Sequence, residues 1–443
     1  MTSRSAQSVA VVLALLAARA AANDRLLVSG YNSDNVARFD ATSAAFVDAL
    51  ASGGQDGILG TCIGPDGALY VCSENSDAVK RFDASSGAYL GDFIANDPAT
   101  PEDETGGLDG PAGLVFGTSG RAFVASFNND SIREYDARSG RFLRVLVATG
   151  AGTLNGPDAG LAIGPDGVLY VPAYFSNRVK RYSLVDGAFL GDWITPTAGL
   201  SRPRTIVFRG AFAYVTSEGN DRVLECDAAT GALVRTIVWN DPATPADDTG
   251  GLDGPTGLAF GPDGRMYVAS IQTDAVLRYD TTSGAFVDVF VASGAGGIAG
   301  PTFLAFQPDA RNYGPHTPNS AGRGAAIVAR GFSSVAAHTL ELDVHFAPLS
   351  ELVLFFYGTG NTQAPFGDGN LLVPRASVRR LGATSTDAFG HARHPLDFAA
   401  LASSPLPLAP GTTRSFQALL RDPNGPGGSG ANLTDAVEVR FSP

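Results

Sequence analysis

The chain has few of the residues on which acid–base catalysis and nucleic-acid binding rely. No histidine occurs in residues 23–310, although the whole chain has five. Charged residues make up only 17% of the 443 residues, and acidic side chains outnumber basic ones by 44 to 31, for a net charge of −13. Nucleic-acid-binding proteins need Lys and Arg to neutralise phosphates, so we exclude that class. A hydrophobic content of 44% also excludes a disordered chain.

Cysteine is scarce as well, because Cys62, Cys72 and Cys226 are the only three. A small, odd number predicts buried free thiols rather than a disulfide framework. Cys62 and Cys72 lie in one predicted hairpin, so a bridge between them stays open as the alternative.

Long apolar runs are absent after the N-terminus, so we expect no membrane span. The first residues combine Arg4, an apolar stretch at 9–16 and small residues at 20–22. This order predicts a signal peptide over residues 1–22, with an uncleaved anchor as the alternative. We therefore expect the protein to be secreted or held in the periplasm or cell envelope, and separately we expect it to be a monomer.

Glycine, in contrast, is abundant, with 54 residues in the chain. That is nearly twice the average share of about 7%. Each glycine inside a helix costs roughly 1 kcal/mol relative to alanine, so helix-rich proteins avoid this density. The composition predicts an all-β protein with many tight turns.

Internal repeats decide the predicted architecture. Six copies of about 48 residues lie between residues 23 and 309 and follow one pattern: an apolar strand, a tight turn, a second strand typified by Tyr-Val, a third strand typified by Val-x-Arg-Tyr-Asp, and a fourth strand. Four short strands per unit predict a six-bladed β-propeller. The repeat region begins with a second-strand sequence that has no first strand before it. It ends with a first-strand sequence, residues 302–306, that has no second strand after it. We therefore predict that this last propeller strand completes the first blade and closes the ring.

Two further patterns divide the chain. Residues 96–126 match residues 240–270 at 23 of 31 positions, so the ring is predicted to contain two related halves. Residues 326–443 alternate short apolar runs with turns, which predicts a small antiparallel β-sandwich. The predicted domains are the signal peptide 1–22, the propeller 23–310, a linker 311–325 and the sandwich 326–443. The propeller holds 19 basic and 35 acidic residues, a net charge of −16.

Residues 257–270 (GLAFGPDGRMYVAS) and 274–280 (DAVLRYD) resemble NHL-type repeats. They also resemble the wider six-bladed group that contains gluconolactonase-like hydrolases and streptogramin B lyases. This resemblance implies the fold and leaves the activity open. A streptogramin-lyase-like reaction would imply a catalytic histidine on the propeller. A gluconolactonase-like site would imply one divalent metal held by Glu, Asn and Asp, for which Glu74 or Glu218 with Asn155 and Asp109 are candidates.

The C-terminal part is similar to a domain found at the end of many secreted planctomycete-type bacterial proteins. The matching residues are 317–320 (TPNS), 354–357 (LFFY), 365–369 (PFGDG), 421–423 (RDP) and 432–435 (NLTD). That domain often carries two cysteines, where this chain has His316 and residues 371–373. The resemblance therefore implies a domain without a disulfide and with no catalytic role.

Candidate ligand residues gather on one predicted face of the ring. The blade-to-blade connections place one residue per blade at the channel mouth: Asp56, Asp109, Asn155, Ser201, Asp253 and Ala299. Carboxylate and amide oxygens that converge there would suit Ca²⁺, with Asp56, Asp109, Asn155 and Asp253 as the predicted ligands. The alternative is that each Asp bonds the backbone of its own turn.

The same face carries other polar and aromatic candidates. Arg202 and Arg204 would meet an anionic ligand or form ion pairs with acidic loops. The loops between second and third strands add Tyr31, Glu74, Tyr174 and Glu218. This mixture suits a carbohydrate or a protein partner. Two acidic connections, 96–107 and 240–251, stand three blades apart on this face.

The sequence favours a binding or scaffold protein, because general acid–base catalysis near neutral pH most often uses histidine and the propeller has none. Two alternatives stay open. The first is a calcium-dependent, lactonase-like hydrolase or lyase on the acidic channel face. The second is a structural protein of the cell envelope that is attached through its sandwich.

Overall fold

The computed structural model describes residues 24–50, 54–96, 99, 102–117, 119–322 and 324–443, so the predicted signal peptide lies outside it. Six four-stranded antiparallel sheets follow one another along the chain and form a β-propeller. The bounds, from first to fourth strand, are Pro301–Gln307, Arg25–Gly30, Asn35–Asp40 and Phe46–Ala49 in blade 1; Ile58–Ile63, Leu69–Ser73, Ala78–Phe82 and Tyr89–Ile94 in blade 2; Pro111–Phe116, Arg121–Ser126, Ser131–Asp136 and Phe142–Val147 in blade 3; Ala162–Ile163, Leu169–Ala173, Arg178–Tyr182 and Phe189–Ile194 in blade 4; Pro203–Arg209, Phe212–Ser217, Arg222–Asp227 and Leu233–Val238 in blade 5; and Pro255–Phe260, Met266–Ser270, Ala275–Tyr279 and Phe286–Val291 in blade 6.

The ring closes as the repeat pattern predicts. Pro301–Gln307 pairs antiparallel with Arg25–Gly30, and Leu304 stands opposite Val28. The last propeller strand therefore completes the blade in which the first one lies. This pairing removes the open sheet edge that either strand would otherwise expose.

The tyrosine of the second strand packs neighbouring blades together. Tyr70 meets the ring of Phe93, in the outer strand of its own blade, at 4.8 Å and that of Phe116, in the next blade, at 4.9 Å. Its hydroxyl donates to Asp66 of the Gly-Pro-Asp-Gly turn at 3.1 Å. Tyr170 and Tyr267 make the equivalent bonds to their own turns. The repeated turn therefore positions the aromatic core as well as reversing the chain.

A second contact between blades recurs six times on the opposite face. One Asp or Asn per blade, just before the third strand, accepts a hydrogen bond of 2.6–2.8 Å from a backbone N–H in the connection that follows the blade. We call these the blade-bridging residues: Asp34, Asp77, Asp130, Asn177, Asp221 and Asp274. All six have φ between 48° and 54°, which Asn and Asp tolerate better than most residues.

The cysteines are free thiols, as the odd count predicts. Cys62 stands opposite Tyr70 in the hairpin, so it is out of register with Cys72. Burial raises the pKa of the Cys62 and Cys226 thiols to about 12. A protonated, buried thiol reacts slowly because the thiolate is the nucleophile.

We therefore expect the native protein to react little with a thiol reagent at mild alkaline pH. After denaturation without reductant, all three thiols should react. If only one thiol per chain reacts after denaturation without reductant, the result would contradict the three free cysteines and indicate a disulfide. A sample denatured with reductant provides the reference count.

The C-terminal domain is a two-layered β-sandwich. The five-stranded sheet has the order Ala310–Tyr313, Gly430–Arg440, Thr413–Asp422, Leu352–Gly358 and Arg379–Ser385, and the three-stranded sheet the order Ala326–Arg330, Glu341–His345 and Ala392–Pro395. A hairpin, Ala364–Phe366 with Gly369–Leu371, and a short helix, Phe398–Ala402, flank them. Leu342 and Val344 from one sheet meet Phe355 and Phe416 from the other in a common core. The predicted sandwich is confirmed.

Short 3₁₀ turns complete the secondary structure. They are Glu74–Ser76, Ala151–Thr153, Pro196–Ala198, Glu218–Asn220, Ala295–Gly297 and Arg375–Ser377. None of the helices in the described part of the chain is long and apolar enough to cross a membrane.

The predicted linker 311–325 is wrong at its start. Ala310–Tyr313 is an edge strand of the five-stranded sheet, with Ala310 opposite Val439. Its four residues include Arg311 and Asn312, so no alternation of apolar and polar residues marked it as a strand. The rest of the predicted domain division stays a prediction.

The sandwich packs on the propeller face that carries the turns between first and second strands. Asp24 accepts hydrogen bonds from the backbone N–H and the hydroxyl of Ser333, at 2.9 and 2.6 Å. Phe332 packs edge-on against Phe306 at 5.6 Å. Arg138, in a turn on this face, donates to the carbonyl of Gly324 at 2.7 Å. These contacts leave the other propeller face, with the connections and the second-to-third loops, as the open face.

Candidate functional site

The predicted ring residues stand on the open face, but their side chains bond locally. The backbone N–H groups of Asp56 and Asp109 each donate to the serine that ends the second strand of their blade, at 2.7 and 2.9 Å. The carboxylate of Asp56 accepts from Asn75 at 2.9 Å, and that of Asp109 accepts from Asn128 at 2.8 Å. Each carboxylate is therefore oriented by a loop amide of its own blade rather than by the backbone of its own turn.

The structure does not bring the predicted calcium ligands together. A group of three Asp, Glu, His or Cys side chains with ligand atoms within 4.8 Å of one another occurs once among the described residues, and Asp56, Asp109 and Asp253 are not in it. The physical reason is that these residues come one per blade, and the carboxylates of Asp56 and Asp109 are each bonded to an amide of their own blade. Calcium binding by Asp56, Asp109, Asn155 and Asp253 stays a prediction without an assembled site.

A charged cluster instead forms around Arg204 on the innermost strand of blade 5. Its guanidinium contacts Asp158 of blade 4 at 2.9 Å and forms an ion pair with Glu218 of its own blade. The ring of Tyr174 lies 4.6 Å from the guanidinium, and its hydroxyl donates to Glu218 at 2.8 Å. Asp158 is fully buried, and the side chain of Arg204 is 16% exposed. The predicted ion-pair role of Arg204 is thus what the structure shows.

Two residues from blades 1 and 2 extend this cluster. The hydroxyl of Tyr31 is hydrogen-bonded to Glu74, and burial together with this bond raises the pKa of Tyr31 to about 12. The pKa of Glu74 is raised by burial and by the nearby charge of Asp158, and Arg204 opposes this rise. Five of the six predicted ligand-face residues therefore fall into two bonded groups, Tyr31 with Glu74 and Tyr174 with Arg204 and Glu218, and the charges of Asp158 and Arg204 act on Glu74. We call Tyr31, Glu74, Asp158, Tyr174, Arg204 and Glu218 the channel cluster.

The sixth predicted residue, Arg202, lies at the edge of this cluster. Its guanidinium is 5.6 Å from the centre of the Tyr174 ring, whereas the guanidinium of Arg204 is 4.6 Å from the same ring. Tyr174 also packs against Phe127 and Phe175, and Phe175 is 57% exposed. An exposed aromatic surface thus borders the charged residues.

Asp158 was missed by the sequence reasoning, although the repeats contain a signal for it. Three positions after the ring residue, the chain has Leu59 in blade 2, Ala112 in blade 3, Thr256 in blade 6 and Thr302 in blade 1. In blades 4 and 5 the same position holds Asp158 and Arg204. Two opposite charges at one repeat position in neighbouring blades mark the place where the ring departs from its own symmetry.

Backbone packing places these two charges side by side. Gly160 of blade 4 forms a bridge to Thr205 of blade 5, and a Cβ at Gly160 would lie 2.3 Å from the Cα of Thr205. Glycine is therefore required for this approach. Burial raises the pKa of Asp158 above its usual value, while Arg204 opposes the shift.

The two acidic connections are stabilised by their own side chains. Asp103 accepts from the backbone N–H of Thr105 at 2.9 Å, and Asp247 accepts from Thr249 in the same way. The hydroxyl of Thr249 also donates to Asp247, at 2.6 Å, and this bond, with the smaller effect of the backbone bond, lowers the pKa of Asp247. Asp97, in the first of these loops, lies outside the described residues. These hydrogen bonds order the described parts of both loops, and whether the loops bind a ligand stays a prediction.

No family model and no curated protein matches the chain. Among solved structures, the chain is similar to one in a nidogen/laminin complex, at 17% identity over 64% of this chain and 98% of that chain, with a TM-score of 0.49. A protein of unknown function from Bacteroides caccae is 15% identical over 64% and 99% of the two chains, also with a TM-score of 0.49. A streptogramin B lyase is 17% identical over 54% and 70%, with a TM-score of 0.39.

Proposed function

We propose that this protein is an exported, non-catalytic binding module whose open propeller face recognises a basic segment of a protein partner. The observation that carries this proposal is the channel cluster, where Asp158 and Glu218 form ion pairs with the half-buried Arg204 and the carboxylate of Glu74 adds a third negative charge near them. Excess negative charge in a partly buried site attracts and orients cationic groups.

The aromatic side chains support the same ligand chemistry. Tyr174 already receives two guanidinium groups of this chain on its ring, at 4.6 and 5.6 Å. Phe175, next to it, is exposed. Lys and Arg side chains bind well over aromatic faces beside carboxylates. A carbohydrate is the other partner that the sequence leaves open, and the experiment below separates the two.

The contacts favour binding over lactonase-like hydrolysis. A metal held by Glu218, Asn155 and Asp109 would need these side chains to converge. Glu218 is instead engaged by Arg204 and Tyr174, and Asp109 by Asn128. Attachment to the cell envelope through the sandwich stays a further prediction.

The test is calorimetric titration of the full chain with hexalysine, hexaarginine, hexaglutamate and neutral oligosaccharides. We expect the two basic peptides to bind, with an affinity that falls as salt rises, because salt screens exposed charges. Glu74→Gln should weaken binding by about tenfold, which corresponds to about 1.4 kcal/mol.

Asp186→Asn is the matched control, because it removes one negative charge from a turn on the face opposite the cluster. It should leave the affinity unchanged. Equal losses in both variants, or tighter binding of hexaglutamate, would contradict the proposal. Binding of an oligosaccharide but of neither basic peptide would overturn the proposal of a basic protein segment as the ligand. The open face would then be the site for a carbohydrate partner.

A further inference from the structure

The sandwich places two histidines and an aspartate on one face of its three-stranded sheet. Asp343 and His345 lie two residues apart on the strand Glu341–His345, so their side chains leave the same face. Val344 pairs with Ala392, which sets His391 beside His345 on the neighbouring chain segment. This face is opposite the one on which Leu342 and Val344 enter the core.

The ligand atoms of the three side chains point at one another. The Nε2 atoms of His345 and His391 each lie 3.9 Å from Oδ2 of Asp343. The imidazole centroids are 4.9 Å apart. Within the described part of the chain, Nε2 of His345 is buried and has no hydrogen-bond partner. A buried ring nitrogen without a partner is costly and needs an explanation.

The geometry points to a divalent transition-metal ion of the zinc class, bound by Asp343, His345 and His391. Two imidazole nitrogens and one carboxylate oxygen are a common ligand set for Zn²⁺, at about 2.0–2.2 Å each. Tetrahedral ligands at that distance stand about 3.3 Å apart, so each contact with Asp343 would shorten by about 0.6 Å. Small side-chain rotations achieve such a change, and a fourth position remains for water.

Neighbouring side chains orient the ligands. His391 turns its other nitrogen, Nδ1, towards Asp387 at 3.8 Å, in the way that metal-bound histidines commonly face a carboxylate. Arg330 donates to Oδ2 of Asp343 at 2.8 Å, and Arg393 donates to Oδ1 at 3.0 Å. A carboxylate has about four lone-pair sites, so these bonds leave room for a metal.

The local charge also permits a cation. Glu341, 3.5 Å from Arg393, and Asp387 join Asp343 as three negative groups against the two arginines. These five side chains sum to one negative charge at neutral pH.

The position of the cluster gives the ion a structural role. Phe346 follows His345 directly and lies 5.7 Å from the guanidinium of Arg138 on the propeller. An ion held between the strand Glu341–His345 and His391 would therefore stiffen the part of the sandwich that contacts the propeller. We expect it to raise the melting temperature of the full chain.

The test is direct metal binding by the full chain. After treatment with a chelator and dialysis, titration with Zn²⁺ should show one site per chain. Co²⁺ in the same site should give visible absorption bands that a histidine-ligated, four-coordinate ion produces. Zn²⁺ should also raise the melting temperature, because a ligand that binds the folded state stabilises it.

Variants assign the ligands. His345→Gln and His391→Gln should each weaken Zn²⁺ binding by about 100-fold or more and remove the Co²⁺ bands. His338→Gln, which removes an exposed histidine outside the cluster, should bind normally. Weak binding at several sites, or binding unchanged by either variant, would overturn the proposal. The wild-type titrations test the metal site even if a variant fails to fold. A wild-type protein that binds no Zn²⁺ at one site per chain and gives no Co²⁺ bands would overturn the proposal.

Discussion

Arg204→Ala is expected to lower the free energy of unfolding by about 3–5 kcal/mol at neutral pH. Arg204 neutralises Asp158, which is fully buried, and also pairs with Glu218. Removal of the guanidinium leaves a buried carboxylate without its cation, and desolvation of such a charge is costly. Urea unfolding curves of the wild type and the variant measure the difference.

The loss should depend on pH. Burial already raises the pKa of Asp158, and Arg204 opposes this rise, so the pKa of the folded state should increase further in Arg204→Ala. A carboxyl with a folded-state pKa above its unfolded value favours folding when it is protonated, and this contribution is lost as pH rises through the folded-state pKa. The variant should therefore lose less stability at about pH 4.5 than at neutral pH.

Arg202→Ala is the matched control, because Arg202 is an exposed arginine in the connection just before the strand that carries Arg204. It should cost less than about 1 kcal/mol and show no such pH dependence. Similar losses in the two variants, or a loss in Arg204→Ala that is the same at both pH values, would contradict the buried ion pair.

Asp221→Ala should cause the second-largest loss, about 2–3 kcal/mol. Asp221 accepts from the backbone N–H of Gly254 in the connection to the next blade, at 2.7 Å, and its φ is 54°. Alanine would lose the hydrogen bond and would also be strained in this left-handed conformation. Thermal melting and urea unfolding both measure the effect.

Asp221→Asn should be close to neutral, because asparagine keeps the acceptor and tolerates the same φ. Blade 4 already uses Asn177 in this role, with a bond of 2.8 Å to the N–H of Arg202. If the Asn variant is as unstable as the Ala variant, charge rather than hydrogen bonding holds neighbouring blades together.

Much of the fold was predictable because the repeat constrains every level of structure together. The Gly-Pro-Asp-Gly turn recurs in three blades, the second-strand tyrosine in four and a related third strand in all six, so the blades could be aligned with one another and predicted together. The missing first strand at the N-terminus predicted the ring closure. The edge strand Ala310–Tyr313 was missed because four residues paired at an edge carry no periodic signal.

The site was predictable only in part. Tyr31, Glu74 and Tyr174 could be assigned to the open face, but their meeting with Arg204 depends on how far side chains reach across the channel. Asp158 could have been found as a departure from the repeat. The metal-ligand cluster left a weaker signal, since Asp343 and His345 share a strand face but His391 is distant in sequence.

The open face as the binding site is the central claim, and hydrogen–deuterium exchange with saturating hexalysine tests it most directly. We predict slower exchange in the segments around Glu74, Asp158 and Arg204, and unchanged exchange in the Gly-Pro-Asp-Gly turns on the opposite face. Protection confined to those turns or to the sandwich would contradict the account.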